Sequence, residues 1–233
     1  MRRFLFAGRI RGRGAALRRL EEAVRRWRPD AVLFVGDVLP PASRRERSRE
    51  EAEFLERFFQ TAGRLPARTV AIPGPSDAPL GTFLRLGMNA EVEYPGVRLA
   101  HASFLAQGDW AVAGIGGELT PSEDAGAPVV RQSHTTAEYF LRPLWNSKPS
   151  LKVLLLAVPP TGRLGGTEGN PIVSELLHTG HPHLCAVGGP QEARGVERVV
   201  RTTVVNPGEL AEGSAAWVDL NRPAGERVRI LDL

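Results

Sequence analysis

The chain has 233 residues, a formal net charge of +4 and no apolar run approaching the roughly 20 residues that span a bilayer. Hydrophobic and charged fractions of 42% and 24% are those of a globular protein, which excludes a disordered or fibrous chain. Its one cysteine, Cys185, excludes an internal disulfide and a cysteine-based metal site, and in the run LCAV it reads as a small buried hydrophobe.

The basic excess is almost wholly arginine, with only Lys148 and Lys152 as lysines. Arginines in RRERSREEAE are interleaved with acids rather than gathered with aromatics, so they read as a solvated helix face, and nucleic acid is not an expected partner. MRRFLFAG reaches Gly8-Arg9 too soon for a signal peptide, which makes the cytoplasm the expected location and leaves no membrane partner. A length of this order suits one domain over residues 1–233.

In chain order, Arg3 to Ala7 is an apolar run that meets glycines. Leu17, Leu20, Val24 and Trp27 then recur at helical spacing up to Arg28-Pro29. AVLFVG, from Ala31 to Gly36, is apolar throughout, as in a strand covered on both faces, and stops at Gly36-Asp37. The charged segment from Ser43 to Thr61 places Phe54, Leu55, Phe58 and Phe59 on one side, which predicts an amphipathic helix. RTVAIP is a further strand ending at Pro73-Gly74, followed by a short helix over Pro79 to Leu86. Short β segments are expected around Glu91 to Tyr94, Val97 to His101 and Trp110 to Ile115.

The Gly-, Pro- and acid-rich stretch from Gly116 to Gln132 reads as a long loop. Ala137, Phe140, Leu141, Leu144 and Trp145 mark a helix, LKVLLLAV a strand, Ile172 to Leu177 a helix and HLCAVG another strand. The tail, ERVVRTTVVNPG, AAWVDL and ERVRILDL, changes to short β runs joined by Gly and Pro turns. Strand-helix units giving way to hairpins predict an α/β fold of two packed sheets with helices outside.

The loops after these strands form an ordered set: GRIRG, GDVL, GPSD, AVPP, GGPQ and NPGEL. Their order and placement resemble the calcineurin-like metallophosphoesterase superfamily across nearly the whole chain, and PGPSDAP and GIGGELT look like segments of bacterial members with eroded metal motifs. The resemblance implies a four-layer αββα sandwich of two mixed β-sheets flanked by helices. It also implies a dinuclear site whose ligands stand at fixed positions in those loops, and most of them are replaced here. Where the family carries Asp-x-His, this chain has Arg9 and Arg11. Asp37 matches the metal-bridging aspartate, while Pro75, Ser76 and Asp77 fall on Asn-His-Asp. Ala157 stands for a histidine, and Gly188, Gly189, Pro190 and Gln191 fall on Gly-His-x-His.

A two-metal esterase needs several groups on each ion to form an attacking hydroxide at neutral pH, and one surviving carboxylate cannot supply them. The expected protein is a catalytically degenerate member with no catalytic or metal-binding residue and no cofactor, acting as a binding or interaction protein. Arg9 and Arg11 are expected to pair with Asp37 and Asp77 in place of the ions. Together with Arg13 and the following helix N-terminus, they offer a pocket for a small phosphate-bearing ligand. The alternative is a residual phosphoesterase using Mn, Fe or Zn through Asp37, Asp77 and Gln191.

Gly8, Gly12 and Gly14 also resemble the cofactor loop of short-chain dehydrogenases, giving dinucleotide binding as a second alternative. That family's Tyr-x-x-x-Lys pair is absent, since Tyr94 and Tyr139 are followed four positions on by Arg98 and Pro143. His178, His181 and His183 are close in sequence but precede their strand, so they read as a solvated turn; His101 and His134 read as ordinary polar positions. Ser76 lacks the second glycine of a nucleophile elbow, and Glu118, Glu123 and Asp124 read as exposed loop acids. The aromatic helix from Tyr139 to Trp145 or a sheet edge offers a surface for a homo-oligomer.

Overall fold

A computed structural model describes residues 2–41, 47–122 and 129–233. The elements run β1 (Arg3–Ala7), α1 (Gly14–Trp27), β2 (Ala31–Phe34), α2 (Arg49–Arg64), β3 (Arg68–Ala71), α3 (Leu80–Glu93), β4 (Val97–Leu99), β5 (Ser103–Gln107), β6 (Trp110–Ile115), β7 (Glu118–Thr120) and β8 (Arg131–Ser133). They continue α4 (His134–Asn146), β9 (Leu151–Leu156), α5 (Pro171–Gly180), β10 (Leu184–Val187), β11 (Gly195–Val199), β12 (Thr202–Asn206), β13 (Ser214–Asp219) and β14 (Val228–Asp232).

Two six-stranded sheets form, ordered β14-β13-β1-β2-β3-β4 and β11-β12-β10-β9-β6-β5. In the first, β1 to β4 are parallel and β13 and β14 antiparallel. In the second, β6, β9, β10 and β12 are parallel, with β5 and β11 antiparallel at the edges. Both sheets are therefore mixed.

Alternation along the strands builds three apolar layers, because successive side chains point to opposite faces. Phe4, Phe6, Leu33 and Val70 meet Val153, Leu155 and Val205 between the sheets. Leu5, Val32 and Phe34 turn outward onto Leu20 and Val24 of α1 and Phe58 of α2. Leu154, Leu156 and Cys185 turn outward onto Leu141 of α4 and Val173 and Leu176 of α5. The result is the helix-sheet-sheet-helix sandwich. Cys185 is fully buried, and burial pushes its thiol well above the ordinary range, so it behaves as a packed hydrophobe.

Three expectations need correction. The helix expected over Pro79 to Leu86 continues to Glu93, so the β segment at Glu91 to Tyr94 does not form. Phe83, Gly87 and Ala90 make its buried stripe, and the Glu91 carboxylate accepts the Leu99 N–H at 2.6 Å, tying the helix to β4. The long loop after Gly116 contains β7 and β8, a small parallel pair held in part by Arg131 on Glu118 at 2.9 Å; Glu123 and Asp124 lie outside the described residues. In the charged segment from Ser43, residues 43–46 likewise lie outside them, and the described helix α2 begins at a capping box: the Ser48 hydroxyl accepts the Glu51 N–H and Glu51 accepts the Ser48 N–H. Arg47 just before it is not solvated. It is buried, donating to the carbonyls of Pro40 at 3.0 Å, Ala78 at 2.9 Å and Ser76.

Candidate functional site: a guanidinium–carboxylate cluster

Loops from both sheets converge beyond the C-terminal ends of the parallel strands, where open α/β sheets build their sites. After β1 the chain folds over the loop after β2, with the N–H groups of Arg9, Arg11 and Gly12 donating to the carbonyls of Gly36, Asp37 and Val38 at 2.8, 3.1 and 2.8 Å. Gly36 has φ +83, and a Cβ on it would collide with the backbone of Gly74; a Cβ on Gly74 would collide with Asp37. Glycine at both positions lets the loops after β2 and β3 touch. Arg9, Arg11 and Asp37 all adopt left-handed backbone, with φ of 55, 56 and 58. Each costs a non-glycine residue of order 1–3 kcal/mol and persists only where the surroundings hold it.

Those surroundings are ionic. The Arg9 side chain, 8% exposed, reaches three carboxylates: Nε lies 3.5 Å from Asp37 Oδ2, Nη1 3.1 Å from Glu209 Oε1, and Nη2 pairs with Glu168. Arg11 spans Asp37 at 3.4 Å and Glu209 at 3.6 Å and approaches the Ser76 hydroxyl at 3.4 Å. Asp37 completes its contacts by accepting the Ser76 N–H at 2.9 Å. Asp77 stands behind this layer, fully buried. Its two oxygens accept the N–H groups of Leu39 at 2.9 Å and Gly74 at 2.7 Å, so it fixes loops rather than pairing with an arginine. Burial first, then the Asp37 charge, pushes its carboxyl up to about 7 against the pull of those N–H bonds.

The remaining sequence-predicted positions are either packed shut or engaged with other partners. Ala157 is buried, and a Cβ on Gly189 would collide with the Asn206 amide. That amide is itself committed, donating to the carbonyls of Leu164 and Pro190 at 3.1 Å each while its oxygen accepts the Gly208 N–H. Gln191 Oε1 accepts the Glu209 N–H at 2.8 Å, which orients the loop after β12. Pro75 begins the short turn Pro75–Asp77 and accepts the Val130 N–H. Arg13 turns away from the cluster to Glu212 at 2.8 Å.

Glu168 and Glu209 are the members of the candidate cluster that sequence reasoning missed. Glu209 stands in NPGEL, a loop already marked as a landmark. Glu168 comes from the Gly-rich loop after β9. The available signal was charge balance: two arginines at ligand positions require acids at the other loop tips.

Other candidates lie elsewhere. His178 is on α5, bonded through Nδ1 to the Ser174 carbonyl at 2.7 Å, and His181 ends that helix. The Nδ1 atom of His183 accepts the Lys152 N–H at 3.0 Å. His101 has a specific role the sequence did not reveal: its Nδ1 accepts the Gly116 N–H at 2.9 Å, and burial lowers its pKa to about 4.

The αββα sandwich with its site at the loops beyond the strand C-termini defines a metallophosphoesterase-type fold. A family profile described as metallophosphoesterase, calcineurin superfamily, matches residues 1–227, and the chain belongs to that family. No curated protein sequence matches it. Among solved structures, one superposes with a TM-score of 0.86 at 29% identity, over 99% of this chain and 98% of its own. TT1561 of Thermus thermophilus gives 0.85 at 27% identity, over 99% and 98%. A novel archaeal phosphodiesterase gives 0.55 at 13% identity, over 99% of both chains, and shares the fold.

The residues present do not fit the pair of divalent ions the family implies. Among the described residues no three His, Cys, Asp or Glu side chains are grouped to hold a metal ion. Asp37, Glu168 and Glu209 instead converge on a guanidinium, and the packing around Gly189 leaves no room for an imidazole.

Proposed function

We propose that this chain is a catalytically degenerate metallophosphoesterase in which Arg9 and Arg11 supply the positive charge that divalent ions supply in the family, and that it acts as a binding or interaction protein. The observation that carries this reading is the Arg9 side chain, all three of whose nitrogens face carboxylates. Two guanidiniums set against three carboxylates leave no net positive charge to attract a phosphate ester, and neither arginine is unengaged. The same geometry weighs against an anion pocket here, since an incoming anion must displace Asp37 and Glu209. It also weighs against dinucleotide binding at Gly8, Gly12 and Gly14, because the loop N–H groups that would cradle a pyrophosphate are spent on the loop after β2. Asp77 and Gln191 are likewise committed to backbone N–H groups.

Metal analysis of the purified protein together with hydrolysis of bis- and mono-p-nitrophenyl phosphate tests the proposal. The expected result is no stoichiometric metal, no turnover, and a melting temperature unmoved by a chelator or by added Mn. Stoichiometric Mn, Fe or Zn with turnover abolished by Asp37→Ala defeats it.

A further inference from the structure

The opposite ends of the strands carry a second site. Strands of four to six residues at ~3.3 Å per residue place it roughly 13–20 Å from the arginine cluster. There the two sheets part into a cleft of about 320 Å³, at the small end of the ~300–1,000 Å³ typical of ligand sites. Its floor is the exposed end of the inter-sheet core, including the buried side chains of Leu151, Leu184 and Val218. Its rim carries Arg2, Arg198 and Arg227, and no carboxylate is among the lining residues.

These cations differ from those of the first cluster in having nothing comparable to neutralise them. Arg2 makes one ion pair, with Asp109 at 3.1 Å, between side chains each about half exposed, the kind of pair worth ~0–1 kcal/mol. Arg227 donates through Nε to the Arg222 carbonyl at 3.0 Å, which leaves its charge uncompensated. Among the described residues neither Arg198 nor Arg227 pairs with an acid. His183 lines the same cleft, and its Nδ1 bond to the Lys152 N–H fixes the neutral ring with the proton on Nε2, a donor. Burial, with Lys152 behind it, lowers its pKa, so it adds a neutral donor near pH 7.

We propose that this cleft binds a small amphiphilic anion, a free molecule with an apolar body seated on the inter-sheet core and one phosphate or carboxylate held by Arg198 and Arg227. The apolar floor explains why inorganic phosphate alone would bind poorly, and the charged rim explains why a neutral chain would.

An NMR titration with octyl phosphate, using inorganic phosphate and octanol as its separate halves, tests this. Octyl phosphate is expected to bind at least tenfold tighter than either half and to shift the amides of Leu151, Leu184 and Thr203. The paired substitution Arg198→Glu and Arg227→Glu is expected to weaken it at least tenfold while leaving the rest of the spectrum in place; the milder Arg198→Gln and Arg227→Gln pair serves if charge reversal disturbs the fold. Absence of binding, equal binding of octanol, indifference to these substitutions, or shifts at Ile10 and Gly12 instead each overturn the proposal. Cosedimentation with phosphatidylglycerol vesicles without binding of soluble octyl phosphate also overturns it, in favour of a membrane surface.

Discussion

Replacing Arg9 by methionine keeps most of the side chain's apolar length and removes its charge. Asp37, 5% exposed, then loses its contact with Arg9 and keeps only Arg11 at 3.4 Å as an ionic partner, while Glu209 keeps Arg11 at 3.6 Å. Removing one partner from a buried ionic contact costs ~3–5 kcal/mol, here because three carboxylates are left against the one guanidinium of Arg11 and Asp37 cannot be rehydrated. Glu168, at 44% side-chain exposure, adds little, on the ~0–1 kcal/mol scale of surface pairs. In a chain of this length each kcal/mol lowers the melting temperature by ~2–4 °C, so Arg9→Met is expected to melt ~6–20 °C below the parent. Thermal and urea unfolding measure it. Adding Asp37→Asn removes one of the excess carboxylates and is expected to recover ~1–3 kcal/mol as a coupling energy between contacting residues. A loss below ~1 kcal/mol for Arg9→Met, or strict additivity of the two substitutions, refutes the view that this guanidinium takes the place of a metal's charge.

Three further outcomes follow from the same contacts. Glu209→Gln, which touches both arginines, is expected to cost ~1–3 kcal/mol, and Glu168→Gln less than ~1 kcal/mol; urea midpoints in the reverse order contradict the geometry. Gly74→Ala drives a methyl into the backbone and carboxylate of Asp37 and is expected to cost ~1–3 kcal/mol or more, read by calorimetry. The pH dependence of stability contains two opposed slopes. Asp77, raised to about 7, is protonated in the folded chain when the unfolded chain has already released its proton, so stability falls as pH rises from the ordinary value of 3.8 towards 7. His101, lowered to about 4, stays neutral in the folded chain while the unfolded one takes up a proton, so stability is lost as pH falls from 6.5 to 4. Each slope is at most ~1.4 kcal/mol per pH unit, and the two oppose each other in the parent between pH 4 and 6.5. Asp77→Asn is therefore expected to leave stability climbing between pH 4 and 6.5, and His101→Gln to leave it falling; parallel profiles for the two variants rule out this pairing.

The sandwich was legible because its central strands are apolar on both faces and end at glycine- or proline-bearing loops, as in AVLFVG and LCAVGG. The extent of α3 was not, since Gly87, Asn89 and Val92 are weak helix formers and only packing of Gly87 against Leu99 reveals why small residues stand there. β7 and β8 are three residues each, too short for a periodicity to show. At the site, Arg9 and Arg11 were readable as the residues standing where the family resemblance implies ligands. Their partners were not, because Glu168 and Glu209 arrive from loops 159 and 200 residues away from Arg9. Arg47 escapes sequence reasoning for a related reason: a charge run resembles a solvated face until the carbonyls of Pro40, Ser76 and Ala78 are seen around it.

The charge at the centre of this site is covalently attached. A bound ion is lost by dilution, exchanged for a competitor or stripped when its supply fails, whereas a guanidinium is renewed with every copy translated and stays protonated across the physiological range. In the proposed reading, the loops after β1, β2, β9 and β12 are therefore drawn together by the polypeptide's own side chains, with no separate species to be captured first.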